Sequence, residues 1–173
     1  MDKIEIIVYS LPIMFMLHDF EEIIGLKTWL DKNGAWLDEK FPMLTKHIQS
    51  LRHLSVQAFA VAVWEEYLII SIVTLTALTF QWYDAWIIIF MAYSFHIIIH
   101  IIQWIIVRRY IPMIITSLLS IPYIIWGINN IVCSFTAIKI GGYLIAGIFV
   151  GVLNLLFAYK LAYKFDKYMN NKL

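Results

Sequence analysis

Charge is scarce in this chain. Only 14% of its 173 residues are Asp, Glu, Lys or Arg, against 62% hydrophobic, a balance well outside that of soluble domains. The composition is that of an integral membrane protein. About five spanning helices of ~20 residues with short connections use up the length, which excludes a second, soluble domain. Cysteine is nearly absent as well: Cys133 alone permits neither an intrachain disulfide nor a thiolate metal cage. The net charge of +1 gives no electrostatic case for nucleic acid, because the basic residues sit at the ends of apolar runs.

Long apolar runs are what the chain does have. They predict an all-α, polytopic bundle forming one membrane domain over 1–173, with spans at about 4–25, 55–80, 85–107, 111–132 and 142–163. Unbroken runs of this length, with little alternation, favour helices over barrel strands. The first run continues from Ile4 through His18 without a small-residue cleavage site, so it reads as a span and not a signal peptide. Pro12, Pro112 and Pro122 fall inside spans, where prolines are tolerated as kinks. Segment 26–54 mixes Trp29, Trp36, Phe41 and several leucines with charges. Breaks at Asn33-Gly34 and Phe41-Pro42 predict one or two amphipathic pieces lying in the headgroup layer.

The distribution of lysine and arginine orients the bundle. Eleven of thirteen fall in 26–54, at Arg108-Arg109 or at the C-terminal end, and only Lys3 and Lys139 fall on the other side. The positive-inside rule then places the chain in the cytoplasmic membrane, N-terminus outside and C-terminus in the cytoplasm, with 164–173 a frayed tail.

Against this apolar background stand seven side chains of metal-ligand type: His18, Glu21, Glu22, Glu65, Glu66, His96 and His100. An ionisable group in hydrocarbon costs roughly 2.5–3.5 kcal/mol on insertion scales, so a shared reason for them is expected. At ~1.5 Å per residue they all lie in the inner half of the bilayer, within roughly 12 Å of one another in depth. His18 and Glu22 are i,i+4 and share a face with Glu21; His96, His100 and Gln103 form a second stripe. Glu65 and Glu66 diverge by about 100° around their helix, so one enters the site, and the sequence leaves open which.

Imidazole with carboxylate suits zinc, iron or manganese, and a cation also lessens the cost of burying both. A divalent metal is therefore expected, zinc first, with His18, Glu22, Glu66, His96 and His100 as candidate ligands. Glu21 and Glu65 are the candidates for proton transfer or for supporting a ligand. A metal-free network of His–Glu ion pairs is the alternative.

The string His18-Asp19-Phe20-Glu21-Glu22 resembles the signature of the HXXEE family, small bacterial multi-span proteins of uncharacterised function. The resemblance supports His18, Glu21 and Glu22 as functional residues and implies no reaction. The acidic doublet with His96 also resembles CAAX-type intramembrane proteases, but Ile70 stands where their arginine, four residues after the doublet, is expected. His96-xxx-His100 resembles one histidine box of membrane di-iron desaturases, which carry about eight histidines where this chain has five.

The enzyme expected is a metal-dependent hydrolase acting on a lipid or another lipophilic, membrane-embedded substrate through metal-activated water. A di-iron or di-manganese oxidoreductase is the redox variant. A proton or divalent-cation transporter is the rival, with Asn154 and Asn129-Asn130 extending a polar path. A structural subunit, or a homodimer through Gly147-xxx-Gly151, is a third reading. His47 and His53 read as solvated, Asp19 as turned away from the His18–Glu22 face toward Lys27, and Trp82 and Tyr83 as part of an aromatic belt.

Overall fold

The computed structural model describes residues 3–171. Met1, Asp2, Lys172 and Leu173, the last two part of the expected tail, lie outside the described residues. Among the described residues there are six α-helices and no strand: α1 Lys3–Lys40, α2 Thr45–His53, α3 Val56–Phe80, α4 Tyr83–Val107, α5 Ile114–Ser134 and α6 Ala137–Asn170, with a 3-10 turn at Pro42–Leu44. Four of them, α3, α4, α5 and α6, are long and apolar enough to cross a membrane. The expectation of five spans differs by α1, whose apolar stretch carries Glu5, Asp19, Glu21 and Glu22. The acidic motif that makes α1 interesting also makes it too charged to count as a span by composition.

The helices close into a ring in the order α1, α3, α6, α4, α5 and back to α1. Its core comes from all five, including Val8, Leu11 and Phe15 of α1, Phe90 and Ile97 of α4, and Tyr123 of α5. The outside is equally apolar. Ile72 on α3 is 61% exposed and Ile145 on α6 72%, a distribution that water does not tolerate over so wide an area and lipid does. With hydrocarbon outside, packing rests on close approach and not on apolar burial. A Cβ added at Gly147 would lie 2.7 Å from the Ile88 carbonyl oxygen and 2.9 Å from the Ala92 nitrogen. Gly147 and Gly151 therefore serve the α6–α4 contact inside this chain.

Three local expectations are corrected. Asn33-Gly34 does not end a helix: Asn33 donates from its amide back to the Trp29 carbonyl at 2.9 Å, and Gly34 leaves room for the Arg52 guanidinium, which a Cβ would meet at 2.5 Å. α1 thus runs for 38 residues, about 57 Å at ~1.5 Å per residue. It ends at Phe41, because the residue before a proline is pushed out of the helical region. From there the chain turns through Pro42–Leu44 into α2, whose Ile48 packs back on Leu30 and Leu37. Residues 26–54 are therefore the continuation of α1 folded against a short helix, in place of separate interfacial pieces.

Pro112 lies in the turn before α5 and not within a span, its ring seated where a side chain at Gly25 would be. The C-terminal end is not frayed over residues 164–170. α6 continues to Asn170, Asp166 accepts a hydrogen bond from Ser55, the N-cap residue of α3, and the Tyr163 hydroxyl meets Ser50 Oγ at 2.6 Å.

Two outcomes are expected. Gly147→Leu forces α4 and α6 apart and lowers stability by about 1–3 kcal/mol, the ordinary cost of overpacking, read as a fall in the melting temperature of the detergent-solubilised protein. Cys133 is exposed at the far end of α5 from the lysine-rich loops, so a membrane-impermeant maleimide labels it from outside in intact cells. Labelling only after permeabilisation reverses the orientation.

Candidate metal centre

The apolar core ends one turn below a polar layer. On α1 the buried Phe15 is followed by His18, Asp19 and Glu22; on α4 the buried Tyr93 and Ile97 alternate with His96 and His100. His18 is fully buried, Glu22 6% and His100 8% exposed. One ligand atom from each of His18, Glu22, His96 and His100 lies within 4.8 Å of all the others. For comparison, metal–nitrogen bonds of about 2.0–2.1 Å at a tetrahedral centre put ligand atoms roughly 3.3 Å apart.

The contacts that fix these atoms come from behind the rings. His18 Nδ1 lies 3.1 Å from Thr116 Oγ1, and that hydroxyl spends its proton on Glu21 Oε2 at 2.6 Å. His18 must then donate through Nδ1, leaving a lone pair on Nε2. His100 Nδ1 lies 2.9 Å from Gln103 Oε1, an acceptor, so a neutral His100 too turns an unprotonated Nε2 inward. That nitrogen sits 2.8 Å from His96 Nε2 and 3.0 Å from Glu22 Oε1, and Glu22 Oε1 is 3.7 Å from His18 Nε2. Among the described residues, His18 Nε2 and Glu22 Oε1 are buried without a hydrogen-bond partner, despite these short separations. His18 Nε2 and Glu22 Oε1 thus face the hydrogen-bonded His96–His100 pair at a buried point, a donor set that could hold a metal ion.

Glu21 stands apart from the group. Its carboxylate accepts from the Thr116 backbone N–H at 2.8 Å, from the Thr116 hydroxyl and from the Tyr110 hydroxyl at 3.1 Å. Thr116 is the third residue of α5, and Met113, in the N-cap position with φ of 118°, has no side-chain oxygen to offer. Glu21 supplies the missing cap from a different helix. The two glutamates of the motif thus do different jobs.

Of the acidic doublet, Glu66 lines two cavities, one of about 590 Å³ beside Glu22, His96 and His100 and one of about 310 Å³ between α3, α4 and α6. Glu65 lines neither. Asn154 donates to both, at 3.4 Å to Glu65 and 3.5 Å to Glu66. Glu66 lies outside the group of four.

Asp19 corrects the reading from the sequence. It is 3% exposed, lines the larger cavity with Glu22 and Glu66, and keeps one oxygen without a hydrogen-bond partner. Lys27 pairs with Asp31 instead, at 2.7 Å. The i,i+3 relation of Asp19 to Glu22 was the available signal. Thr116 had none, since a threonine in an apolar helix is ordinary until the opposite helix is placed. His47 stands at the rim of the larger cavity, and Asn130 bonds back to its own helix at the Trp126 carbonyl, 2.8 Å away.

Thr116→Val keeps the shape and removes the hydroxyl, freeing the His18 ring and leaving Glu21 with one fewer donor. Metal affinity is expected to fall about 10–100-fold, the usual effect of deleting a group that orients a ligand. Equilibrium dialysis of the purified variant against zinc checks it, with Glu65→Gln expected to bind like the wild type.

A family model described as "Protein of unknown function with HXXEE motif" matches residues 9–127. The match includes His18, Glu22, His96, His100, Thr116 and Glu21, and stops within α5, so α6 with Asn154 lies beyond it. No curated protein and no solved structure matches the chain. This chain belongs to the HXXEE family.

Proposed function

We propose that His18, Glu22, His96 and His100 hold a divalent metal ion, zinc in the first instance, at the cytoplasmic-leaflet level of a five-span bundle, and that the protein is a metal-dependent hydrolase of a membrane-embedded substrate. The observation that carries the reading is the buried convergence of His18 Nε2 and Glu22 Oε1, neither with a hydrogen-bond partner, on the His96–His100 pair. Glu22, His96 and His100 border the larger cavity and His18 does not, so one side of the group faces open space, as a catalytic site requires. A bound zinc would lower the pKa of a water on that side toward neutrality. Glu66, on the same cavity wall, is the residue placed to take up and return a proton. Asn154 holds the doublet in position, and Asp19 keeps a free acceptor toward the substrate space.

Elemental analysis of the detergent-purified protein tests this. About one equivalent of metal per chain is expected, reduced to background in His100→Ala and in Glu22→Gln. Glu66→Gln is expected to retain the metal while turnover of a lipid ester or amide falls by about 10²-fold or more, the range of a lost general acid–base. Iron or manganese in place of zinc would turn the reading to redox chemistry on a lipid. A metal-free protein of full stability would mean that His100, protonated on both nitrogens, simply pairs with Glu22. Flux of a divalent cation into proteoliposomes, abolished by Glu66→Gln, would make it a transporter.

A further inference from the structure

The smaller cavity lies between α3, α4 and α6, and its wall is apolar except at one end. Ile70, Ile89, Ile148 and Val152 are typical of the wall, while Glu66, His96, Asn154 and Tyr93 supply its polar groups. Small residues border the space. Gly147 lies against the backbone of α4, and one turn on, a Cβ added at Gly151 would stand 3.3 Å from Ala92 Cβ. Val152 and Leu155 on the rim are 50% and 40% exposed, so the space opens on the outer, lipid-facing side of the bundle. At its inner end it shares Glu66, His96, Ile99 and Leu155 with the larger cavity. One side chain's width therefore separates an apolar slot from the His/Glu group.

We infer that this slot admits a single-chain amphiphile sideways from the bilayer, its hydrocarbon tail in the apolar space bounded by α3, α4 and α6 and its polar head at Glu66 and His96. The direction of polarity fixes which end goes where: a tail gains by replacing lipid contact with the isoleucine wall, whereas a head left there would lose its hydrogen bonds. The head's chemistry follows from what surrounds it. Glu66 stands at the junction of the two cavities, with Asp19, whose Oδ2 has no hydrogen-bond partner, and Glu22 on the wall of the larger one, and Asn154 reaches Glu66 only at 3.5 Å. No Lys or Arg borders either cavity. A pocket bordered by Asp19, Glu22 and Glu66 with no basic side chain repels an anion, and so selects an uncharged or cationic head, an alcohol, amide or amine, over a phosphate or carboxylate. The amide is the head that the metal-dependent reading above would hydrolyse, and a free alcohol or amine is the half released from an ester or amide; the inference rests on that reading only for what happens to the head once bound.

Photolabelling of the full chain in phospholipid nanodiscs tests it, using a diazirine-bearing C16 alcohol and the matching C16 fatty acid. The alcohol is expected to label peptides spanning 89–99 and 147–155 at least tenfold above the outward face of α3 around Ile72 and Leu75, and more than the acid does. Ala92→Trp fills the slot and is expected to remove that labelling at unchanged metal content; Ile148→Trp serves if the first variant does not fold. Even labelling of all outward faces, or labelling that survives both variants, overturns the slot. Equal labelling by the acid overturns the assignment of the head. Because labelling and metal content are read separately, a metal-free protein that still labels at 89–99 and 147–155 would defeat the metal reading and leave the amphiphile site standing.

Discussion

A buried lone pair must be given something, and in this molecule that requirement organises everything near the polar layer. Two imidazoles are held by their outer partners with Nε2 turned inward, that of His18 without a hydrogen-bond partner, where a carboxylate oxygen already points. In water such atoms would be hydrated. Within an apolar bundle each is a cost of about 1–3 kcal/mol unless a proton or a cation satisfies it. The supporting contacts, Thr116 behind His18 and Gln103 behind His100, are what prevent the rings from turning away to satisfy themselves.

The HXXEE motif divides its labour according to helical geometry. His18 and Glu22 are one turn apart and look into the ring between α3, α4 and α5. Glu21, rotated by about 100° from Glu22, looks at the start of α5 and caps it. Through Thr116 the cap and the His18 ring are one hydrogen-bonded unit, so the glutamate that stays out of the His/Glu group still determines how that group is presented. Asp19 occupies the remaining inward position of the same turn and adds a third acid to the cavity wall. Four of the five residues in the motif are thus accounted for by what each helical direction meets.

Beyond that level the scaffold is held by means other than apolar burial, as a bundle in lipid must be. Gly147 lets α6 touch the α4 backbone, Tyr93 bonds the Ser120 hydroxyl at 2.8 Å, and Tyr123 reaches the Ile7 carbonyl at 3.0 Å. The basic end is closed by a different set of contacts. Lys40 reaches the Val107 carbonyl at 3.5 Å, the Arg109 guanidinium stacks 3.9 Å from the Trp36 ring, and α2 folds back on α1. The small residues that allow close approach on one side of the α4–α6 contact leave a slot on the other, so packing and access come from the same glycines.

Much of this was legible without coordinates. Apolar run length gave away the helices, because backbone groups in hydrocarbon have to bond within their own segment. The i,i+4 pairs His18–Glu22 and His96–His100 were legible because one helix alone sets that spacing. What crossed between helices was not. The separation of Glu66 from Glu65, the inward turn of Asp19, the cap that Glu21 provides to α5 and the role of Thr116 each depend on which neighbour stands opposite. Hydropathy and spacing were enough for an all-helical, largely apolar chain whose intramembrane acids and imidazoles share one depth. Which of them meet was left to packing, since rotation about a helix axis is set by partners distant in the chain and leaves no periodic trace in any one segment.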